Sequence, residues 1–241
     1  YLIFQISAWF INRMQLYITV GERNALVVLL GLGVKGVLLF IFITLGFQRF
    51  ISFPILLTIV VYLGCFTWMK IRPVAIGDSL ALPAERKGLS EISGFWVLTL
   101  LFILGLANAW FFPITGADGV WHHVKGMEYG MPLADFESNK IIHQFRQYPP
   151  FIGLLYGWLI SSGIEKVTII FPVLYVCLLY IFYYRLYDHA ESSIIAAVAT
   201  LIVGTTPYLW WHSYLPFLDW TAGVFYVVGV LYWFLLVKKI S

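Results

Sequence analysis

Long apolar runs occupy most of this chain, and they constrain its fold more than any other feature. Only 11% of its 241 residues are charged, against about 25% in soluble domains. Inside a bilayer every backbone polar group must be satisfied within the protein, so such runs form helices. The sequence therefore predicts an all-α polytopic membrane protein. The apolar segments lie at 1–19, 24–47, 51–69, 93–112, 149–163, 166–184, 192–209 and 216–237.

Segment 149–163 differs from the others because it is short. It has about fifteen residues, whereas about 20 are needed to cross a bilayer. It also begins with Pro149-Pro150. If it crossed, Arg185 and Lys238-Lys239 would lie outside; if it lies in the interface, they become cytoplasmic, as the positive-inside rule favours. We therefore expect about seven transmembrane helices plus interfacial juxtamembrane helices in the first large outer loop.

Basic residues also predict the orientation. The polar stretch 70–92 contains four Lys and Arg residues and is expected to be cytoplasmic, as is the loop VGERN at 20–24.

Because Tyr1 lies inside an apolar run, we expect the chain to be a fragment at this end. The predicted organisation is N-terminal transmembrane helices at 1–69, a cytoplasmic loop at 70–92, and a transmembrane module at 93–241 with outer loops at 113–165 and 210–220.

The motif GADGVWHHVKGMEYG, at 116–130, contains two acids, two histidines and a lysine directly after an apolar span. Asp118, Trp121, Lys125 and Tyr129 would share one stripe if 117–129 is helical. An inward-facing acid and lysine could hold a substrate hydroxyl and a phosphate. The alternative is an interfacial helix anchored by Trp121 with its charges in water, and helical spacing alone favours that alternative.

Asp219 bears on the choice between a substrate site and an interfacial helix. It begins the last apolar span, just after Pro216, where the helix dipole favours an acid. Taken alone, that structural role is the better interpretation. The predicted topology, however, puts Asp118 and Asp219 on the same outer side of the membrane. Two carboxylates that face one cavity can serve as a base and as an orienter of an acceptor or a metal.

Four short motifs follow one another along the second half of the chain. They are GADGVWHHVK (116–125), QYPPFIGLLYGWLISSG (147–163), VGTTPYLWW (203–211) and LPFLDWTAGVF (215–225). In this order and on this side of the membrane, they resemble the polyprenyl-phosphate-sugar glycosyltransferases of the GT-C fold. That superfamily includes the protein O-mannosyltransferases and the lipid A aminoarabinose transferase. The resemblance covers less than half of the chain and corresponds to an N-terminal portion of such an enzyme.

The resemblance implies a role for each matching residue. Asp118 would be the general base that deprotonates the acceptor, and Asp219 would shape the acceptor or metal site. The donor would be a sugar on a polyprenyl phosphate, transferred with inversion. Cationic side chains must offset the charge of the phosphate leaving group. Arg146 is the first candidate and Lys125 the second, although each is as readily a solvated cation.

Two further residues complete the predicted substrate-binding set, namely Trp121 and Tyr148. Tyr148 is a departure, because some relatives have a lysine directly before the Pro-Pro pair. The chain also ends well before the later helices of such enzymes. The cofactor is left open, with a divalent cation as the one candidate, and no residue is assigned as a metal ligand.

Lys35 and the histidines carry alternative interpretations. Lys35 lies near the middle of span 24–47 and must find a partner or a cavity. It could mark a contact with another subunit, but a packing face of Gly31, Gly33 and Gly36 with a snorkelling lysine is preferred. The histidines lack the spacing of a metal site, since none lie at i, i+4. A metal held by His123 or His212 together with acids is therefore the less favoured interpretation.

The sequence thus predicts a glycosyltransferase-like protein of the bacterial inner membrane, whose site faces the non-cytoplasmic side. Its acceptor would be an envelope glycan, lipid or protein. The expected partners are a polyprenyl-phosphate-linked sugar, membrane lipids and other membrane subunits, with no nucleic acid. The alternative is a non-catalytic membrane subunit that scaffolds a larger complex. A transporter ranks third, because transporter sites lie near the midplane.

Overall fold

The computed structural model describes residues 2–14, 18–44, 89–114, 119–120, 123–124, 126–127, 151–215 and 217–240. Within these ranges the chain is helical and contains no strand, which confirms the predicted all-α class. The helices are α1 (Leu2–Arg13), α2 (Val20–Thr44), α3 (Leu89–Phe111), α4 (Phe151–Ser161), α5 (Ile170–Ala190), α6 (Ser193–Gly204), α7 (Pro207–His212) and α8 (Leu218–Ile240), with a 3-10 turn at Val167–Ile169.

Four of the described helices are long and apolar enough to cross a membrane. They are α2, α3, α5 and α8, with candidate spans at Val20–Ile41, Gly94–Phe111, Val167–Ala190 and Asp219–Val237. The apolar helices α1, α4 and α6 have 12, 11 and 12 residues. At 1.5 Å per residue each is about 16–18 Å long, well short of a hydrocarbon core of about 30 Å. The predicted span 51–69 and the predicted loop 70–92 lie outside the described residues.

The predicted span 192–209 is two helices rather than one. Ser192 caps α6, because its hydroxyl accepts the backbone N–H of Ile195 at 3.4 Å. The helix then ends at Gly204, and Thr206 takes an extended conformation before Pro207, which opens α7. A residue that precedes proline is pushed out of the helical region, so the chain turns here.

Helix α5 is the centre of the bundle, since α2, α3, α6 and α8 all pack against it. Its buried side chains include Phe171, Leu174 and Tyr175. At its start, the Thr168 hydroxyl donates to the Ala109 carbonyl of α3 at 2.8 Å. The Tyr175 hydroxyl donates to the Gly204 carbonyl of α6 at 2.7 Å. The last turns of α3 and α6 therefore lie beside the first turns of α5.

The opposite end of α5 meets the beginnings of α2 and α3. The backbone at Gly21 of α2 lies against the Tyr184 ring, and Gly94 of α3 lies against Tyr183. Helices α2 and α3 thus run antiparallel to α5. Because Tyr232, near the end of α8, lies at this same level, α8 runs parallel to α5. These relative directions are the ones that the sequence predicts for the four long spans. We call this end the Glu22 end and the opposite one the Asp219 end.

A buried ionic network joins three helices at the Glu22 end. Glu22 of α2 is 0% exposed. Its Oε1 atom accepts Arg185 Nε of α5 at 2.7 Å, with a second guanidinium nitrogen at 2.5 Å. The Tyr232 hydroxyl of α8 donates to the same oxygen. The Arg185 guanidinium also lies 5.6 Å from the centre of the Tyr232 ring.

This network corrects the prediction that 20–24 is a loop, because Val20 begins α2. The Thr19 hydroxyl accepts the backbone N–H of Glu22 at 3.2 Å, which caps the first turn. An acid in the first turn also interacts favourably with the helix dipole. Helix α2 therefore starts four residues earlier than the apolar pattern alone indicates.

The predicted glycine face on α2 is confirmed, but Lys35 is buried rather than snorkelling. A Cβ atom at Gly31 would collide with Phe4 of α1, and one at Gly36 with Phe151 of α4. A Cβ at Gly33 would lie 3.3 Å from the Phe225 ring of α8. Small residues let neighbouring elements approach closely where the hydrophobic effect gives little drive between helices. This face therefore brings three helices against α2.

Replacing Glu22 should destabilise the bundle strongly. Glu22→Gln removes the negative charge that neutralises Arg185, and breaking a buried ion pair costs about 3–5 kcal/mol. Denaturant titration of the protein in mild detergent measures this loss. Asp188→Asn is the control, because Asp188 is exposed and 3.9 Å from Arg185. That variant should lose at most about 1 kcal/mol. Equal losses from the two variants would contradict the role of the network.

A methyl group at Gly36 should also destabilise the protein. Gly36→Ala forces the Phe151 ring away, and overpacking of this kind costs about 1–3 kcal/mol. Gly229→Ala in α8 is the matched control, since no described atom lies within 4 Å of its Cβ position. That variant should be neutral or more stable by up to about 1 kcal/mol. Thermal unfolding in the same detergent compares the two.

Candidate functional site

Asp219 lies in the first turn of α8, and its side chain is exposed. His212, the last residue of α7, is its electrostatic partner. Burial lowers the pKa of the His212 imidazole below its usual value of 6.5, and the Asp219 carboxylate opposes that shift. The fold thus places an accessible carboxylate near an imidazole whose pKa is lowered, and both groups can accept a proton.

Aromatic rings fix the position of His212. Its ring centroid lies 4.4 Å from that of Tyr208 and 5.0 Å from that of Phe217. The Trp220 ring stacks nearly parallel to it, at 6.2 Å and 9°. The His212 Nδ1 atom is buried without a hydrogen-bond partner in the described part of the chain. A buried ring nitrogen of this kind is a functional candidate, because native structures satisfy most such atoms.

Two more polar atoms are buried in the first turn of α8. The Trp220 indole N–H and the Thr221 hydroxyl have no hydrogen-bond partner among the described residues. Trp220 is held by Tyr175, whose ring lies 6.4 Å away, and Tyr175 also contacts Trp210 at 6.3 Å. The first turn of α8 therefore carries a carboxylate, an indole N–H and a hydroxyl at one end of the bundle.

A second pair, His123 and Tyr156, lies beside the neighbouring turn of α5. The His123 ring is 6.4 Å from the Tyr156 ring of α4, and Tyr156 is 6.3 Å from Phe171. The His123 Nδ1 atom and the Tyr156 hydroxyl are both buried without a described partner. Burial lowers the pKa of His123 and raises the pKa of Tyr156 well above its usual value.

The two clusters are continuous through α5. Phe171 contacts the His123 cluster and Tyr175 contacts the His212 cluster, and these residues lie one turn apart on one face of the helix. We call the combined group the Asp219-end site. Its members are His123, Tyr156, Tyr175, His212, Asp219, Trp220 and Thr221.

Most of the site residues predicted from the sequence lie outside the described residues. They are Asp118, Trp121, Lys125, Arg146 and Tyr148. Asp219 is the described one, and it begins a long apolar helix as predicted. Within 117–129, the described residues 119–120, 123–124 and 126–127 are helical.

Neighbours of Asp118 in the sequence lie at the Asp219 end. The Phe112 ring lies 5.9 Å from Tyr214, and Ile114 packs against the hydrophobic core. Gly119, directly after Asp118, is buried. The backbone at Gly126 lies against Tyr156, so closely that a Cβ atom would collide with that side chain. The motif that contains Asp118 is thus flanked by residues that pack at this end.

Sequence reasoning missed the environment of His212 and the whole Glu22 network. The sequence suggests His212 only as a metal ligand, although its position before Pro216 and Asp219 is a usable signal. Tyr156 and Thr221 give no signal, because a tyrosine or threonine in an apolar run is common in packed bundles. Among the described residues, no group of three His, Cys, Asp or Glu side chains could hold a metal ion.

A scan against protein-family models found no matching family, and searches of curated proteins and of solved structures found no match.

The buried histidines should make stability fall at acidic pH. Because the pKa of His212 is lowered in the folded state, the unfolded chain binds more protons below pH 6.5. Stability should therefore decrease from pH 6.5 downwards until the folded imidazole is itself protonated. His212→Phe keeps the aromatic contacts and should flatten this dependence, with His123 accounting for what remains. Thermal unfolding between pH 7.5 and 5 measures it.

His189→Phe is the control for that experiment. His189 is exposed at the Glu22 end, so this variant should keep the wild-type pH dependence. A steep loss of stability that persists unchanged in His212→Phe would refute the assignment.

Proposed function

We propose that this chain is a membrane glycosyltransferase-like protein, with its site at the Asp219 end of the bundle. It would transfer a sugar from a polyprenyl phosphate to an envelope glycan, lipid or protein on the outer face of a bacterial inner membrane. The observation that supports this proposal most directly is the convergence at one end. Asp219 lies there beside His212, and so do the residues that flank Asp118.

Helix α4 gives independent support. The proposal requires the segment after Pro149-Pro150 to stay on one side of the membrane. Its 11 residues give a length of about 16 Å, too short for a crossing. Tyr156 in its centre contacts Phe171, near the beginning of α5. A helix that stays at this depth agrees with a juxtamembrane position in an outer loop.

The proposed reaction balances simply. An acceptor hydroxyl attacks the anomeric carbon, and the bond from that carbon to the phosphate oxygen breaks. Its electron pair leaves on the phosphate, and the hydroxyl proton passes to a carboxylate. Asp118 is the proposed base, while Asp219 orients the acceptor, with His212 beside it as an electrostatic partner. Lys125 and Arg146 are the proposed partners of the phosphate, and Trp121 and Tyr148 complete the substrate site. A divalent cation is the one cofactor proposed as a candidate.

The accessible carboxylate is the position to test. Membranes from cells that express wild-type chain, Asp219→Asn or no chain are incubated with polyprenyl phosphate carrying a radiolabelled hexose. Release of free polyprenyl phosphate is the readout. Asp219→Asn should lower the rate by about 100-fold, because an acceptor that is no longer held in position reacts more slowly. Its thermal stability should stay near wild type, because the side chain is exposed.

Glu165→Gln is the matched control. Glu165 is also an exposed acid at the Asp219 end, just before α5. This variant should release polyprenyl phosphate at the wild-type rate. If wild-type and chain-free membranes release equal amounts with every donor tried, the enzyme proposal fails and the non-catalytic subunit is favoured.

A further inference from the structure

Lys35 is a buried cation inside a candidate membrane span. It lies in α2, thirteen residues after Glu22, so about 20 Å further along the helix. That distance puts it in the half of the bundle nearer the Asp219 end, six residues before Ile41, where the apolar span ends. Only 8% of its surface is exposed. Ionised side chains inside a membrane segment need an opposite charge or a polar partner.

The contact that Lys35 makes does not supply that charge. Its Nζ atom lies 5.2 Å from the centre of the Trp158 ring of α4. A cation–π contact offsets only part of the cost of burying an ammonium group. Among the described residues, no carboxylate forms an ion pair with Lys35 and no acceptor forms a hydrogen bond with it. The contrast with Glu22 is clear, since that buried charge has an arginine and a tyrosine.

The surroundings keep Lys35 in place. Gly36, the next residue, lies against the Phe151 ring, and Phe151 is two helical turns before Trp158 on α4. One face of α4 therefore packs on α2 at Lys35 and Gly36. Trp158 itself is only partly buried. Tryptophan is enriched where membrane proteins meet lipid headgroups, so the Trp158 ring is a suitable neighbour for a headgroup.

We propose that Lys35 and Trp158 form a binding site for the phosphate group of a lipid in the leaflet at the Asp219 end. A lipid phosphate supplies the missing negative charge, and its acyl or prenyl chains remain among the apolar helices. The site does not depend on the proposed glycosyl transfer. The phosphate could belong to a bulk anionic phospholipid or to a polyprenyl phosphate, and the experiment separates these sources.

The test compares thermal unfolding in nanodiscs of phosphatidylcholine, alone or with phosphatidylglycerol or polyprenyl phosphate. A ligand that binds only the folded state raises the melting temperature. An anionic lipid should raise the melting temperature of the wild type by several degrees. Lys35→Met keeps the length of the side chain, and its melting temperature should not rise. The melting temperature of Lys35→Arg should rise as in the wild type. A rise in melting temperature with polyprenyl phosphate but not with phosphatidylglycerol would identify polyprenyl phosphate as the ligand. A rise with both lipids would show that the site binds lipid phosphate in general.

Lys166→Met is the matched control. Lys166 is an exposed lysine that lies 6.0 Å from the Trp110 ring. This variant loses the same charge and a similar contact, yet it should keep the gain from anionic lipid. Asp219→Asn should keep it too, so a failure of the proposed enzyme activity would leave this result intact.

Three outcomes would overturn the proposal. One is an equal rise in the melting temperatures of the wild type and Lys35→Met. Another is an unchanged melting temperature of the wild type with either lipid. The third is a large loss of stability of Lys35→Met in pure phosphatidylcholine, because that loss would show a carboxylate of the protein or of a second copy already paired with Lys35.

Discussion

The ion pair between Glu22 and Arg185 is the constraint on which the arrangement of the long helices depends. It fixes the first turn of α2 against the last turns of α5, and Tyr232 adds α8 to the same carboxylate oxygen. A charge buried among apolar helices is costly, and a pair is tolerated only when both members meet. Registers that move α2 by one turn along α5 would separate the buried Glu22 carboxylate from Arg185. The network therefore selects one register, and the glycine face then completes the close packing at the other end of α2.

Hydropathy predicted the broad architecture, whereas individual contacts between distant residues could not be predicted. Apolar runs and their polar boundaries predicted the helical class, the four long helices that the structure describes, and the position of Asp219 at a helix start. They placed the start of α2 too late, because Glu22 and Arg23 resemble a polar loop until Arg185, 163 positions away, is known to be a partner. They also joined α6 and α7, since Thr205 and Thr206 are compatible with an apolar helix and only Pro207 marks the break.

The candidate site likewise combines features that the sequence predicts with contacts that it does not. An acid after a proline is visible in the sequence, whereas the burial of the Tyr156 hydroxyl and of the His123 and His212 ring nitrogens depends on the packing of α4, α5 and α7. These atoms come from segments far apart in the chain. A period of 3.6 residues describes one face of one helix, so it carries no information about which faces meet. That is why the proximity of Asp219 to His212 had to come from the structure.

Helix α2 links the two ends of the bundle through two buried charges of opposite character. The negative charge of Glu22 is balanced by partners inside the protein. Lys35 has an aromatic ring but no anion in the described part of the chain, so its charge must be balanced from elsewhere. Because Trp158 of α4 contacts Lys35, an anion bound at Lys35 would stabilise the packing of α4 on α2, and with it the position of Tyr156. Tyr156 in turn contacts His123 at the Asp219-end site. A lipid phosphate at Lys35 would therefore stabilise the helix that supports one half of that site without touching Asp219.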